Sequence, residues 1–371
     1  MKVQVLQENF SKALSLVSRF TSIRTQLPVL GNVLISTKKN KLLVASTNLE
    51  ISIAYTIGAK IEEEGEITVP SKVITDIVLN LAKGPVDLET EKEQLTINAS
   101  GFSSNVLGMN SSDFPSIPQE LSNNKISTPK ENLLSAIGKV VFSTSVDESR
   151  PVLTGVLFIF EKGSLTLVAT DGFRLSRKKL SIDNKSFEKN FILPKTSLVE
   201  LSKISGGEEL LDLEFKDKEN QVMFGTGDVV LASRIIEGEF PEFEKIIPKT
   251  SSVWVSLDKE ELLRAVKLAS VFARESANIV KILLQKEKIE VFAESNQSGS
   301  QRTLVEAKVE GVFSEGEQEI AFNYRFLEEY LHVVSGDELK IGLTSPSAPG
   351  VFLDPKDPNF LHLIMPVRIQ G

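Results

Sequence analysis

The chain carries one unit three times, and that repetition limits its possible folds more than any other feature. PVLGNVLI from Pro28 matches PVLTGVLF from Pro151 at an offset of 123 residues, close to one third of the 371. LLVASTNLEISI from Leu42 aligns with LTLVATDGFRLS at an offset of 124, and KIEVFAESNQSG around Val291 is a third, weaker version. Solenoid repeats run to roughly 20–50 residues, whereas units of this length hold cores of their own, so the pattern predicts three domains in a row.

The order of signals inside each unit also recurs. FSKALSLVSRF from Phe10, NLLSAIGKVVF from Asn132 and ELLRAVKLASVF from Glu261 have apolar residues at helical spacing and predict one helix each. Strand-like stretches follow, and then a second helix signal: VPSKVITDIVLNLA, LPKTSLVELSKI and FNYRFLEEYLHVV. Pro70 with Ser71, and Pro194 to Thr196, read as helix starts. More strands come after them (LDLEF, QVMFG, VVLASR), and the units close at DFPSIP from Asp113, EFPEFEKIIP from Glu239 and NFLHLIMP from Asn359, the last without its Phe-Pro. The expected class is α+β with antiparallel pairing, in three domains over residues 1–122, 123–250 and 251–371.

Chemistry that needs special side chains is poorly supplied. There is no cysteine, and His332 and His362 are the only histidines, so disulfides, thiolate metal sites and histidine-based triads are not expected. GTGD at Gly225 lacks the third glycine of a dinucleotide loop, and no phosphate-binding G-x-x-x-x-G-K-S/T is present. Asp354 and Asp357 in DPKDPN lack the glycine and terminal glutamate of a calcium loop and read as a turn. No catalytic residue, metal or cofactor is expected. The N-terminal stretch has no secretory apolar core, and runs such as Val156 to Phe160 are too short to cross a membrane, so the expectation is a cytoplasmic protein with no membrane partner.

Two strings stand out. In ATDGFRL, Ala169 to Leu175, the Asp-Gly pair marks a tight corner after a strand, and Phe173 with Arg174 on such a corner also suits a peptide-binding edge. MPVRI, Met365 to Ile369, reads equally as a terminal strand or as part of a partner pocket. A hydrolase using paired carboxylates is one alternative, given 50 Asp and Glu, although no pair converges beside a base or metal ligand. A purely structural repeat protein is another, and it leaves these two strings unexplained.

LPVLGNVLI, ATDGFRL, FPEFEKIIP and MPVRI, in this order and spacing, make the chain resemble the bacterial DNA polymerase III β subunit, the replication sliding clamp, over its full length. The resemblance implies three domains of DNA-clamp topology and a head-to-tail homodimer closed into a ring around double-stranded DNA. It implies a non-enzymatic processivity factor. The implied partners are the DNA polymerase III catalytic subunit, the clamp loader, other polymerases and mismatch-repair proteins, all carrying short clamp-binding motifs of Gln followed by Leu and an aromatic residue. Carried over residue by residue, the implied peptide cleft comprises Leu153, Thr170, Gly172, Phe173, Arg174, Leu175, Pro241, Lys245, Ile246, Asn323, Phe326, Met365, Pro366, Val367 and Arg368. Arg24 and Arg150 fall in segments implied to approach DNA, and Ser104, Val106, Val271 and Phe272 at the implied ring joint. Lys245 stands where the family often has arginine, and Gln370 with Gly371 extends past the usual end. Lysine lacks the bidentate fork of arginine, so a shifted motif preference is expected.

A ring around DNA also requires segregated charge. The six helical stretches together carry +4 in a chain of net charge −8, leaving −12 elsewhere. Cations are therefore enriched on the helices expected to face phosphates, and the rest of the chain repels nucleic acid.

Overall fold

In a computed structural model, residues 1–22, 26–183, 187–204, 208–313 and 318–368 are described. The first repeat runs β1 (Lys2–Leu6), α1 (Gln7–Val17), β2 (Asn32–Lys38), β3 (Lys41–Thr47), β4 (Ile51–Gly58), β5 (Lys60–Glu63), β6 (Glu66–Pro70), α2 (Ser71–Asn80), β7 (Pro85–Glu91), β8 (Gln94–Ala99) and β9 (Phe102–Leu107). The second runs β10 (Ile126–Pro129), α3 (Lys130–Gly138), β11 (Gly155–Glu161), β12 (Ser164–Thr170), β13 (Arg174–Ser181), β14 (Lys189–Pro194), α4 (Lys195–Ser202), β15 (Leu210–Lys216), β16 (Gln221–Thr226) and β17 (Val229–Arg234). The third runs β18 (Val253–Asp258), α5 (Lys259–Ala273), β19 (Ile279–Leu284), β20 (Lys288–Ser295), β21 (Gly299–Gly311), β22 (Glu319–Asn323), α6 (Tyr324–Val333), β23 (Glu338–Leu343), β24 (Gly350–Leu353) and β25 (Phe360–Ile364).

Each stretch with helical periodicity forms its helix. In α1 the buried side chains are Phe10, Ala13, Leu14 and Val17, one stripe at i, i+3, i+4 and i+7. α5 buries Leu262, Val266, Ala269 and Ala273 in the same manner, and the Asp258 carboxylate caps it by accepting the Glu261 N–H at 2.9 Å. Each fully buried Leu or Val contributes about 1.5–3 kcal/mol, so the stripe rather than intrinsic propensity fixes these helices. α2 starts directly after Pro70, without a side-chain cap.

The chain divides into two compact units, Met1–Glu131 with Val199–Ile235, and Asn132–Leu198 with Ile236–Gly371. The first unit contains a sheet of order β5-β1-β7-β8-β9 and another of order β10-β15-β16-β17-β4-β3-β2-β6. The second contains β14-β11-β12-β13-β25-β24-β23-β18-β21-β20-β19-β22. Each unit therefore joins two sequence repeats through one antiparallel seam. In the first, β4 pairs with β17, setting Ile53 opposite Leu231 and Ala54 opposite Val230. In the second, β13 pairs with β25, setting Leu175 opposite Leu363 and Ser176 opposite His362. The rule is the same at both: the fourth strand of one repeat pairs with the last strand of the next.

The segment after each repeat packs against the seam that follows. Phe114, Ile117 and Leu121 pack with Ala45, Ala54, Met223 and Val230 in the first unit, and Phe240, Phe243 and Ile247 pack with Leu175, Leu363 and Val351 in the second. These apolar anchors explain why the Phe-Pro strings recur.

Candidate functional site

The ATDGFR corner is the β12–β13 turn, and its own side chains fix its shape. The Thr170 hydroxyl donates to the Arg174 carbonyl at 2.6 Å and accepts the Gly172 N–H at 3.1 Å. The Asp171 carboxylate accepts the N–H groups of Phe173 at 2.9 Å and Arg174 at 3.0 Å. Gly172 takes φ +93°, a region open to glycine and costly for other residues. Phe173 is forced outward and is 61% exposed, while Leu175 is fully buried. The corner expected from sequence is present, and of the two side chains read as a binding edge Phe173 is exposed while Arg174 is buried.

The segment after β25, which is not itself a strand, completes the surface. The Met365 N–H donates to the Phe173 carbonyl and the Val367 N–H to the Ala321 carbonyl, both at 2.8 Å. This stretches Met365 to Val367 between the turn and β22. Met365 is exposed and Pro366 and Val367 are half-buried, with Arg368 exposed beyond them. Asn323 caps α6 through the Arg325 N–H, and Phe326 on the first turn of that helix packs partly on the third repeat's core. Leu153 is buried, whereas Pro241, Lys245 and Ile246 are exposed around the 3-10 turn Phe243–Ile246, Lys245 being ion-paired to Glu242.

Arg174 is 8% exposed. Its Nε donates to Asp171 at 3.0 Å, Nη1 to Glu329 of α6, and Nη2 to the Phe142 carbonyl at 2.7 Å. Its guanidinium carbon lies 4.5 Å from the Phe326 ring centroid and 5.4 Å from that of Phe142. Arg150 reaches the same turn: its Nη1 would lie 3.5 Å from a Cβ placed on Gly172, and its Nε pairs with Asp147 at 3.4 Å. Arg24 lies outside the described residues, as do Ile369, Gln370 and Gly371. Sequence reasoning missed Phe142, Asp171 and Glu329. Asp171 sat inside the singled-out string, and Glu329 follows Phe326 by three residues on one helix face, but Phe142 carried no signal.

Beneath the turn the seam is polar inside. The His362 Nδ1 lies 2.8 Å from the Ser176 hydroxyl, which lies 2.8 Å from that of Ser143, and the imidazole stacks on Tyr330 at 5.0 Å. Burial, and then the positive charge of Arg174, hold the His362 pKa well below the usual imidazole value. Burial, with the charge of Asp354 added, pushes the Tyr330 phenol up. Asp354 and Asp357 organise a turn. Asp354 accepts the N–H groups of Ser335, Gly336 and Lys356, and Asp357 receives Lys139 and Lys178. Burial works against the Asp357 carboxylate, but the hydrogen bonds from those two lysines outweigh it and hold its pKa down.

The implied ring-joint residues fall on β9 and α5. Ser104 is half-buried and Val106 buried on β9, the edge strand of its sheet, while Phe272 packs on its own repeat's core and Val271 is 58% exposed. Further exposed apolar side chains that sequence reasoning overlooked are Leu107 on β9 at 76%, and Phe102, Leu268 and Leu304. Among the helix cations, Lys12, Arg19 and Lys72 are exposed. No group of His, Asp and Glu among the described residues could hold a metal ion, and no described helix is long and apolar enough to cross a membrane.

Comparison with known proteins gives a consistent result. Residues 1–118, 127–242 and 244–368 match the N-terminal, central and C-terminal domains of the DNA polymerase III beta subunit. A beta sliding clamp of Staphylococcus aureus is 30% identical over 380 residues, covering 99% of each chain. The crystal structure of a DNA polymerase sliding clamp from Bacillus subtilis superposes with a TM-score of 0.94 at 28% identity, and a putative DNA polymerase III beta subunit from Eubacterium rectale with 0.92 at 26%, each over 100% of both chains.

Proposed function

The chain belongs to the DNA polymerase III β-subunit family of sliding clamps, non-catalytic processivity factors of the polymerase, and from that premise we propose how its own residues close a ring and receive partners. Domain limits at residues 122 and 250 fit this reading, as does a cytoplasmic location.

The observation that carries ring closure is the seam rule. Applied twice within the chain, it uses β4 with β17 and β13 with β25. The fourth strand of the last repeat, β21, whose residues 299–306 pair with β20 alone, and the last strand of the first, β9, remain as the pair the rule leaves over. The same rule joins β21 of one copy to β9 of another, head to tail, and two such joints close a homodimer. Ser103 and Asn105, which flank Ser104 on the free edge of β9, then contribute backbone pairing, with Ser104 and Val106 lying along the joint, and Val271, Leu107 and Leu304 give apolar contact, while Phe272 supports the joint from within.

The ring encloses double-stranded DNA through loose phosphate contacts from helix cations such as Lys12 and Lys72, and Arg24 is assigned the same role, because weak electrostatic contacts hold without reading sequence and so permit sliding. Arg150, next to the Gly172 turn in the second unit, is assigned a phosphate contact as well. The surface around Phe173, Phe326, Met365 and Ile246 takes the Leu and aromatic anchors of linear motifs from the polymerase catalytic subunit, clamp loader, other polymerases and mismatch-repair proteins.

Two measurements test the reading. Sedimentation at micromolar concentration is expected to give twice 40.9 kDa, and a strict monomer overturns the ring. Fluorescence anisotropy of a labelled Gln-Leu-Ser-Leu-Phe peptide is expected to show saturable binding that disappears when both anchors become alanine. Binding that survives that change overturns the cleft assignment.

A further inference from the structure

We propose that Glu329 is a positioning residue of the peptide cleft, acting through Arg174, and that Arg174 itself presents no free charge to the bound peptide. This rests on the cleft reading above.

Each nitrogen of the Arg174 guanidinium already has an acceptor in the protein: Asp171 for Nε, Glu329 for Nη1 and the Phe142 carbonyl for Nη2. At 8% exposure there is little room for a ligand to replace them. The two carboxylates come from opposite walls of the cleft. Asp171 belongs to the turn, where its other oxygen holds the N–H groups of Phe173 and Arg174 and so aims the Phe173 ring outward. Glu329 belongs to α6, one turn beyond Phe326, whose ring lies under the guanidinium. One buried cation therefore fixes the separation and orientation of the two aromatic side chains that flank the cleft. Charge-assisted bonds have the directionality for this task, and a planar guanidinium can stack on a ring while bonding at its edge.

Two consequences distinguish this from direct recognition. Neutralising Glu329 loosens the turn even with no peptide present. It also weakens a neutral and an acidic peptide alike, because the freed Nη1 is not where the peptide binds.

The test uses full-length Glu329→Gln, with Glu328→Gln as a neighbouring control, and two readouts. In hydrogen exchange without peptide, the Phe173 and Arg174 amides are expected to exchange about tenfold faster in the Glu329→Gln protein, with β11 and β12 unchanged. In anisotropy, the labelled Gln-Leu-Ser-Leu-Phe peptide and its Ser-to-Glu version are both expected to lose about tenfold or more in affinity, the scale of one hydrogen bond to a charged group. The Glu328→Gln protein is expected to match the unsubstituted protein in both. Unchanged exchange at Phe173 and Arg174 overturns the positioning role, and tighter binding of the acidic peptide shows that Arg174 is a direct receptor and overturns it equally. Failure of the unsubstituted protein to bind either peptide overturns the cleft reading instead, while the exchange result still decides whether Glu329 holds the turn.

Discussion

His362 is neutral because it is buried beside Arg174, and that makes the second unit acid-sensitive. Its folded pKa is depressed, so the unfolded chain takes up a proton that the folded protein refuses. Stability is full above the unfolded value of about 6.5 and falls as pH drops from there toward the folded value, by up to about 1.4 kcal/mol per pH unit. His362→Phe keeps an aromatic ring against Tyr330 and removes the titration. The gap between urea midpoints at pH 7.5 and 5.5 is expected to shrink in that variant; an unchanged gap assigns the acid sensitivity elsewhere. At Gly172 the constraint is the backbone, since φ is +93°. Gly172→Ala is expected to cost about 1–2 kcal/mol by denaturation, with weaker peptide binding. The sequence made such positions visible when they clustered in one string, as ATDGFRL does. It hid Glu329, which is 155 residues from the arginine it holds, and His362, whose burial depends on a strand from another repeat.

Elements were the most legible level, because helical periodicity survives in every repeat and each predicted helix is present. Strand partners were not legible. Nothing in the periodicity of β13 says that its outer edge meets β25, since alternation fixes which face is buried and not which strand lies alongside. The fourth strand also varies: it is continuous in β21 and split into β4 and β5 in the first repeat. The proposed joint between copies is main-chain pairing of β9, and proline cannot donate to a ladder. Asn105→Pro, at a position whose N–H points away from β8, is expected to shift the sedimenting mass from twice 40.9 kDa toward 40.9 kDa, with Trp254 fluorescence and helix content retained. A variant that remains dimeric shows that side chains at α5 hold the copies together instead.

For the molecule as a whole, the excess of positive charge on the helices against a net −8 is an argument about location, and salt tests it. Retention of the loaded protein on nicked circular DNA is expected to fall with salt in the Lys12→Glu, Lys72→Glu double variant at lower concentrations than in the unsubstituted protein. The logarithmic salt slope should drop by about 0.9 for each phosphate contact removed. Peptide binding is expected to stay as it was, because both substitutions lie in the first repeat. Equal loss of the two activities points to damage of the fold.

The β13–β25 seam has a mechanical side. At the proposed cleft, a bound partner under load would pull on the Phe173 turn and on Met365, and these continue directly into the two paired strands. Five residue pairs from Arg174 opposite Ile364 to Lys178 opposite Phe360 then share the load. Force directed along the strands shears these bonds together, whereas force across them would unzip one pair at a time. A tether anchored here transmits tension into the sheet, and under pulling the grip of the peptide's two anchors is expected to give way before the seam does.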